Sequence, residues 1–247
     1  MAECILETEK MLVYQAQLGE WDNLNHLLIC KKTGKAVIVD PFFSEYWSEI
    51  CTVNGWELEE VWLTHTHWDH AKGVEALKDK AVWVHQKESQ RGWRGPSNRE
   101  WTMAANSSVN QQIGELEFEV HCTPGHTPGH VVFIGEGVFV SGDCLFLGRC
   151  GRTDLYGGDV ESQRQSLFHL RNRLSSLPKD WIVLPGHLYE LADGSSPTYI
   201  TIERLLSDNE ALAAIDDDEA WNNLEFLAFD DDLAERARKQ RALSQQG

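Results

Sequence analysis

The strongest constraint on the fold of this chain is the segment at residues 65–70, which reads HTHWDH. It follows an apolar, strand-like run at residues 58–63 and holds three histidines and one aspartate. Imidazole and carboxylate are ligands that zinc, iron and manganese accept, whereas unpartnered histidines and aspartates are poor core residues. The segment therefore predicts a metal site at a strand end. His65 and His67 can face one ion, and Asp69 and His70 can face a second.

Three further candidate ligands occur downstream, each directly after a glycine near the end of a predicted strand. They are His126 in TPGHTPGH, Asp143 in SGD and His187 in LPGH. Taken alone, each of them is better explained as a hydrogen-bonded structural residue or a turn residue. Together with the HTHWDH segment they form an ordered set at strand ends and turns. Such a set predicts a metal site built along one edge of a sheet.

Predicted strands and helices alternate through most of the chain, which favours an α/β fold with helices covering the sheets. Strands are predicted at residues 24–29, 36–39, 58–63, 81–85, 116–122, 131–134, 138–141 and, as the last strand, 181–184. Helices are predicted at residues 44–54, 71–78 and 162–177, and a loop at residues 91–108. After Pro197 only helices are predicted, at residues 199–207, 219–228 and 233–243.

The net charge narrows the range of partners. The chain has 247 residues and a formal net charge of -17, which argues against a nucleic-acid partner because the phosphate backbone would be repelled. An anionic small substrate would need a local basic patch. No apolar run approaches the ~20 residues that span a bilayer. The start of the chain lacks a secretory signal and no cysteine lies in a CxxC pair, so we expect a cytoplasmic protein with free thiols.

From about residue 23 to residue 189, the chain resembles the metallo-β-lactamase-fold hydrolases. The resemblance rests on the HTHWDH segment together with VDP at residues 39–41, the turn at 124–130, SGD at 141–143 and PGH at 185–187. It implies an αββα sandwich that binds two metal ions. Residues 1–190 would form the catalytic domain, and residues 191–247 a short helical extension packed on it.

The same resemblance implies a division of the ligands between the two ions, for which zinc is favoured and iron or manganese is also suitable. The first ion would be held by His65, His67 and His126. The second would be held by Asp69, His70 and His187, with Asp143 bridging the two ions.

Within this superfamily the chain is most similar to the glyoxalase II group, the hydroxyacylglutathione hydrolases. The similarity rests on Trp68 within the HTHWDH segment and on GDCLF at residues 142–146. It implies cleavage of an acylglutathione thioester, with substrate contacts from Arg152 and Tyr189. Asp154 stands where this group often has a tyrosine, and the C-terminal helical region is shorter than in the group.

The chemistry of such a centre favours hydrolysis. Two divalent ions about 3.5–4 Å apart can share a hydroxide and polarise a carbonyl, and Asp69 and Asp143 would be the catalytic carboxylates. A thioester suits the site because its thiolate leaves readily without a dedicated general acid. The segment CGRTD at residues 150–154 equally resembles persulfide dioxygenases, which would use a single iron on His65, His126 and Asp143. A lactonase and a non-catalytic binding protein are further, weaker hypotheses.

Overall fold

Two β-sheets form the centre of the protein in the computed structural model, which describes residues 1–244. The first sheet has seven strands that lie in chain order: β1 (Glu3–Glu7), β2 (Met11–Gln17), β3 (Leu24–Cys30), β4 (Lys35–Val39), β5 (Glu57–Trp62), β6 (Ala81–His85) and β7 (Arg99–Trp101). The second sheet has six strands: β8 (Ser108–Ile113), β9 (Leu116–Cys122), β10 (Val131–Gly135), β11 (Val138–Gly142), β12 (Ile182–Pro185) and β13 (Ile200–Thr201). Their spatial order is β13-β12-β11-β10-β9-β8.

Helices connect the strands and cover the outer faces of both sheets. The α-helices are α1 (Ser44–Asn54), α2 (Trp68–Ala71), α3 (Gln86–Arg91), α4 (Val160–Ser175), α5 (Ile202–Asp208), α6 (Glu210–Ala214), α7 (Asp218–Asn222) and α8 (Asp232–Ser244). Two short 3₁₀ helices lie at Val74–Leu77 and Glu225–Leu227.

The main core lies between the two sheets, where side chains from their inner faces pack together. Trp62 of β5 packs against Phe133 of β10, with 4.9 Å between the ring centroids, and against Phe118 of β9. A second core lies on the outer face of the first sheet, under Trp47 of α1. A third lies on the outer face of the second sheet, under Leu170 of α4. Helix, sheet, sheet and helix thus form four layers, and the predicted αββα sandwich is confirmed.

The residue pattern explains these layers. β3 and β4 are mostly apolar, with Asn25, His26 and Lys35 as the exceptions, and nearly every residue is buried, as expected for strands covered on both faces. Strands β4, β5, β6 and β7 pair in parallel, so each connection crosses back over the sheet, and α1 lies in one of these crossovers.

Several local predictions were wrong, because tertiary pairing outweighs local composition. The helix predicted at 71–78 is divided, since Gly73 packs closely on Pro41 and donates its N–H to the Pro41 carbonyl. The loop predicted at 91–108 contains β7, which adds to β6 in parallel. Strands β1, β2 and β8 were not predicted; β1 and β8 are edge strands with few buried residues, so they lack the apolar pattern of a core strand.

The C-terminal segment continues the fold of the second sheet. β13 pairs with β12, so the prediction of helices alone after Pro197 was wrong at residues 200–201. Ile202 and Leu205 of α5 share a core with Leu170 of α4. The division at residue 190 stays a prediction, and residues 245–247 of the predicted extension lie outside the described residues. None of the helices within residues 1–244 is long and apolar enough to cross a membrane.

Candidate metal centre

The predicted ligands meet at one edge of the sandwich because each follows a strand that ends there. The HTHWDH segment follows β5, and the other candidates follow β9, β11 and β12. All of them except the half-buried His67 are buried: His65, Asp69, His70, His126, Asp143 and His187. The strand ends thus collect side chains that are far apart in the sequence.

The first group consists of His65, His67 and His126, with one ligand atom of each within 4.8 Å of the others. Nε2 of His126 is 2.8 Å from Nδ1 of His67. Ligands of one tetrahedral zinc ion are separated by about 3.3 Å, given Zn–N distances of about 2.0–2.1 Å. The spacing therefore suits nitrogen atoms that converge on a single cation.

The second group consists of Asp69, His70 and His187, again within 4.8 Å of one another. Nε2 of His187 is 3.2 Å from Oδ2 of Asp69 and 3.0 Å from Nε2 of His70. Two imidazole nitrogens and a carboxylate oxygen thus face a common point, as three ligands of one ion would.

Asp143 lies between the two groups and contacts both of them. Its Oδ1 is 3.3 Å from Nε2 of His70 in the second group. Its Oδ2 is 3.3 Å from Nε2 of His187 and 3.6 Å from Nε2 of His126, which belongs to the first group. A single carboxylate therefore joins the two groups, as a bridging ligand requires.

The outer ring nitrogens of the histidines are held by protein atoms. Nδ1 of His126 donates to the Arg152 carbonyl, and Nδ1 of His187 donates to the Trp21 carbonyl, both at 2.7 Å. Nδ1 of His70 is 2.9 Å from Oδ2 of Asp40. With one proton held on the outer nitrogen, each of these rings in its neutral form presents the lone pair of Nε2 to the centre.

Two buried polar atoms at the centre have no hydrogen-bond partner: Nε2 of His65 and Oδ1 of Asp143. Leaving a buried polar group unsatisfied costs about 1–3 kcal/mol. A cation at the centre would satisfy both atoms at once. The nitrogen and oxygen donors present therefore fit divalent metal ions of the zinc, iron or manganese type.

The protonation states reflect this concentration of charge. Burial, with repulsion from His70 and His67, holds the pKa of His65 well below its ordinary value, which keeps this imidazole neutral. Burial opposes protonation of His187, but the carboxylates of Asp143 and Asp69 raise its pKa to about 9. A proton on His187 thus supplies positive charge that a metal ion would otherwise bring, so metal uptake should release protons.

Asp40 connects the end of β4 to the ligand segment. Its Oδ1 accepts from the Thr64 backbone N–H at 2.8 Å, and its Oδ2 is close to both the Thr64 hydroxyl and His70. Asp40 has a φ of 48°, a left-handed conformation that costs a non-glycine residue of order 1–3 kcal/mol. The hydrogen bonds of Asp40 hold His70, a candidate ligand, in place. The backbone strain at Asp40 therefore occurs at a residue that positions a candidate ligand.

Glu88 is a positioning residue that the sequence analysis missed. This fully buried carboxylate accepts from the Thr66 N–H at 3.1 Å and the Thr66 hydroxyl at 2.6 Å, beside His65 and His67. It also accepts from the Gly129 N–H at 2.9 Å, in the turn that carries His126. Glu88 therefore links the two loops of the first ligand group. Its polar surroundings in sequence, QKESQR, contain no signal of burial.

We predict that Glu88→Gln destabilises the protein by about 3 kcal/mol, because it leaves the Arg91 guanidinium, 2.9 Å away, without its buried partner. In a domain of this size that corresponds to a fall of roughly 6–12 °C in the melting temperature. Differential scanning calorimetry would measure it. Glu75→Gln is the matched control, since its pair with Lys78 is exposed and its loss should cost under about 0.5 kcal/mol. Equal melting temperatures for both variants would contradict the role of Glu88.

Close packing at two glycines brings the ligand loops together. A Cβ at Gly142 would lie 2.7 Å from the Thr64 side chain, and Gly142 has a φ of 50°. A Cβ at Gly186 would overlap Oδ1 of Asp143 and crowd His70. A side chain at Gly186 would therefore enter the space between the ligand groups.

A cavity of about 960 Å³ opens over the centre and is lined by both ligand groups. Its walls also include aromatic residues, several arginines and residues of α8. The volume is at the upper end of the range for small-molecule sites. It leaves room for a substrate considerably larger than its reacting group.

The two predicted substrate contacts, Arg152 and Tyr189, both line this cavity. The Arg152 guanidinium already pairs with Asp154 at 2.6 Å and with Asp231 at 2.8 Å. A substrate carboxylate would have to compete with these two partners. Asp154, the departure from the glyoxalase II pattern noted in the sequence, is thus one of the two carboxylates that hold Arg152.

Arg149 is one of the further cations that line the cavity, and it was not identified from the sequence. Its guanidinium carbon lies 3.7 Å from the centroid of the Tyr189 ring, and its Nε is buried without a hydrogen-bond partner. None of the ion pairs formed within residues 1–244 involves Arg149. It is therefore available to an anionic group in the cavity.

Residues 20–187, which include all the predicted ligands, match the family model of the metallo-beta-lactamase superfamily. The chain belongs to this superfamily. The metallo-beta-lactamase match covers more than half of the chain and ends at the last predicted ligand, His187. The recognition based on the sequence motifs is thereby confirmed.

Individual superfamily members are also similar to the chain. A hydroxyacylglutathione hydrolase from Enterobacter sp. (strain 638) is 35% identical over 159 residues, which are 64% of this chain and 59% of the relative. The match thus spans less than two thirds of the relative. The crystal structure of ETHE1 from Myxococcus xanthus has a TM-score of 0.71 at 24% identity, over 94% of this chain and 98% of that chain, and shows the fold alone. A di-iron-bound form of TTHA1623 has a TM-score of 0.60 at 28% identity, over 79% and 98%.

Proposed function

We propose that this chain is a metal-dependent hydrolase that cleaves a thioester, with an acylglutathione as its substrate. The observation that carries the proposal is the pair of histidine and aspartate groups joined by Asp143. The relative named hydroxyacylglutathione hydrolase supports the choice of thioester. We also propose that the protein acts in the cytoplasm, which its six free cysteines support.

The ligand arrangement supports two divalent ions, and we propose zinc because imidazole-rich sites suit it well. His65, His67 and His126 would hold the first ion, Asp69, His70 and His187 the second, and Asp143 both. Two such ions supply a strong nucleophile from water at neutral pH and polarise the thioester carbonyl. The similarity to the di-iron-bound form of TTHA1623 supports the expectation of two ions.

The protein groups around the centre have distinct roles in this proposal. Asp69 is oriented by Asn23, whose Nδ2 donates to Oδ2 of Asp69 at 2.7 Å. The Asp69 carboxylate takes up the proton that the attacking water loses. The thiol leaves as a thiolate, since its pKa is near ~8.5, so no further acid is needed. Asp143 keeps the two ligand groups at a fixed separation.

Recognition of the glutathione carboxylates requires cations in a chain whose formal net charge is -17. We propose Arg149, Arg152 and Tyr189 as contacts for the carrier, with Arg149 making the stronger charge contact. Arg149 carries no ion pair within residues 1–244, whereas Arg152 is shared between Asp154 and Asp231. The Tyr189 ring under Arg149 fixes the direction of the guanidinium.

We predict that Arg149→Met raises KM for a glutathione thioester about tenfold, because a charge-assisted hydrogen bond contributes about 1.5–3 kcal/mol. Arg152→Met is the matched control and should raise KM less, since its charge is already neutralised. The same acyl group on N-acetylcysteamine, an uncharged carrier, should show almost no change with either variant. A larger effect for Arg152→Met would assign the anion contact to Arg152 instead.

The segment CGRTD at residues 150–154 supports a second candidate function, a persulfide dioxygenase with one iron on His65, His126 and Asp143. The lactonase hypothesis has no observation in its favour beyond the fold. A non-catalytic binding protein is disfavoured, because every ligand position is occupied by a residue that can bind metal.

One purified sample decides between the two enzymes. Metal content would be measured together with cleavage of acylglutathiones, lactoyl- and phenylacetyl-glutathione among them, and with oxygen uptake on glutathione persulfide. We expect thioester cleavage and no persulfide-dependent oxygen uptake. Oxygen uptake without thioester cleavage would overturn the hydrolase proposal and leave the superfamily assignment intact.

A further inference from the structure

Two exposed tryptophans form part of the cavity wall beside the metal centre. Trp21 is 51% exposed and Trp68 is 50% exposed, and both line the cavity. Their ring centroids are 5.9 Å apart, with an angle of 66° between the planes. Neighbouring large aromatic surfaces in water are unfavourable, and in a cavity they usually serve a ligand.

The tryptophan pair lies next to the second ligand group. The Trp21 carbonyl accepts from Nδ1 of His187 at 2.7 Å, and Trp68 directly precedes Asp69 in the ligand segment. Asn23, near Trp21 in sequence, donates to Asp69 at 2.7 Å. A group that rests on these rings is therefore close to the reacting centre.

The two rings are held in place before any substrate binds. Trp68 packs edge-on against Phe42, with centroids 5.7 Å apart, and Lys72 Nζ lies 4.7 Å from the Trp68 ring centroid. Trp21 is presented by a turn in which Asp22 has a φ of 55°. A non-glycine residue in that conformation carries strain, which tertiary contacts must hold. The tryptophans thus form a preformed surface.

The charges in the cavity distinguish this wall from the others. Arginines from other segments line the cavity. None of the cation–ring contacts within residues 1–244 joins Arg91, Arg149 or Arg152 to either tryptophan. Asp22, adjacent to Trp21, also lines the cavity. The arginines attract an anionic carrier, whereas the carboxylate of Asp22 repels it. The surface of the tryptophan pair therefore suits an uncharged, apolar group.

We propose that Trp21 and Trp68 form the subsite for the acyl group, and that this acyl group is a medium-length alkyl chain or an aromatic ring. The inference rests on the proposed thioester hydrolysis and specifies its substrate class. The carrier occupies the arginine-lined walls and the acyl group lies on the tryptophans, with the scissile carbonyl between them at the ligand groups. A small hydroxyacyl group would leave the rings largely exposed.

The first test compares acetyl-, hexanoyl- and phenylacetyl-glutathione as substrates. Each fully buried methylene increases the affinity about fourfold. A methylene that is covered on only one side contributes about half of that free energy, which corresponds to roughly a twofold increase in affinity. We expect kcat/KM to rise at least about tenfold from acetyl to hexanoyl or phenylacetyl. In Trp21→Ala the phenylacetyl-to-acetyl ratio of kcat/KM should fall about tenfold, mainly through KM. Trp68→Leu, with its metal content verified, should act in the same direction.

Phe43→Ala is the matched control. Phe43 is 46% exposed and contacts Phe42 in the same aromatic cluster, but it does not line the cavity. This variant should keep the wild-type preference among the three thioesters. A wild-type enzyme without acyl preference, or a preference unchanged in Trp21→Ala, overturns the acyl subsite.

A binding measurement separates this inference from the proposed function. S-hexylglutathione and S-methylglutathione are thioethers that cannot be hydrolysed, and calorimetry with the metal-loaded protein measures their affinities. We expect S-hexylglutathione to bind at least about tenfold more tightly, and Trp21→Ala to remove most of the difference. If no thioester is cleaved but this difference is found, the hydrolase proposal fails and the apolar subsite stands. If thioesters are cleaved but the two ligands bind equally, the subsite fails and the hydrolase proposal stands.

Discussion

Asp143→Asn should abolish activity more completely than Asp69→Asn. Asp143 is within 3.6 Å of nitrogens in both ligand groups, whereas Asp69 contacts only the second group. Losing stabilisation by both ions removes several kcal/mol of transition-state stabilisation, which is at least about a thousandfold in kcat/KM. We expect Asp69→Asn to retain more, at a loss of about a hundredfold, because it affects only the second ion. Steady-state kinetics on the proposed thioester substrate would measure both values.

The substitution by asparagine keeps the shape of each side chain, so the comparison isolates the charge. Elemental analysis should show that Asp143→Asn loses both ions and that Asp69→Asn keeps the one held by His65, His67 and His126. Circular dichroism would establish that both variants remain folded. Equal residual rates in two variants of equal metal content would contradict the bridging position of Asp143.

The wild-type chain should bind about two metal ions, and His187→Ala should bind about one. His187 contacts Asp69 and Asp143 at the second group and makes no contact with His65 or His67 among the polar contacts within residues 1–244. Its loss should remove the second ion and reduce kcat/KM at least about a hundredfold. Plasma mass spectrometry on protein dialysed against metal-free buffer would count the ions.

This count also distinguishes the two candidate enzymes. With a single iron on His65, His126 and Asp143, the wild type would bind one ion and His187→Ala would not change that number. His169→Ala is the matched control, because His169 bonds to His121 outside the centre and should keep two ions. One ion in all three proteins would favour the dioxygenase.

The layered fold and the candidate metal ligands could both be predicted from the sequence, because particular segments carry the physical signal. Strands such as β9 and β6 were predicted with their observed bounds, because apolar and β-branched residues mark buried strands directly. The HTHWDH segment identified a metal site because clustered imidazoles have no place in a core without a partner. The edge strands β1 and β8 were not predicted, since most of their residues are exposed or only partly buried and so lack the apolar pattern of a core strand.

Local sequence could not indicate the availability of each charged group, which depends on what packs against it. Arg152 was the predicted anion contact, yet Asp231, contributed from the start of α8, occupies it together with Asp154. Arg149 carries the same charge three residues earlier in the chain, but it stacks on Tyr189 and forms no ion pair within residues 1–244. Whether an arginine is available to bind an anionic ligand depends on the carboxylates that pack next to it in the folded protein.

The sequence by itself determined which residues can bind metal, because that property belongs to each side chain. Only the tertiary structure decided how they are held: the buried Glu88 bonds to Gly129, 41 residues later in the chain, and so joins two ligand loops. The exposure of Trp21 and Trp68 at the cavity was equally undecided, since a tryptophan in sequence is as compatible with a core as with a binding surface. Burial and hydrogen-bond partners arise from long-range packing, and no local pattern specifies them.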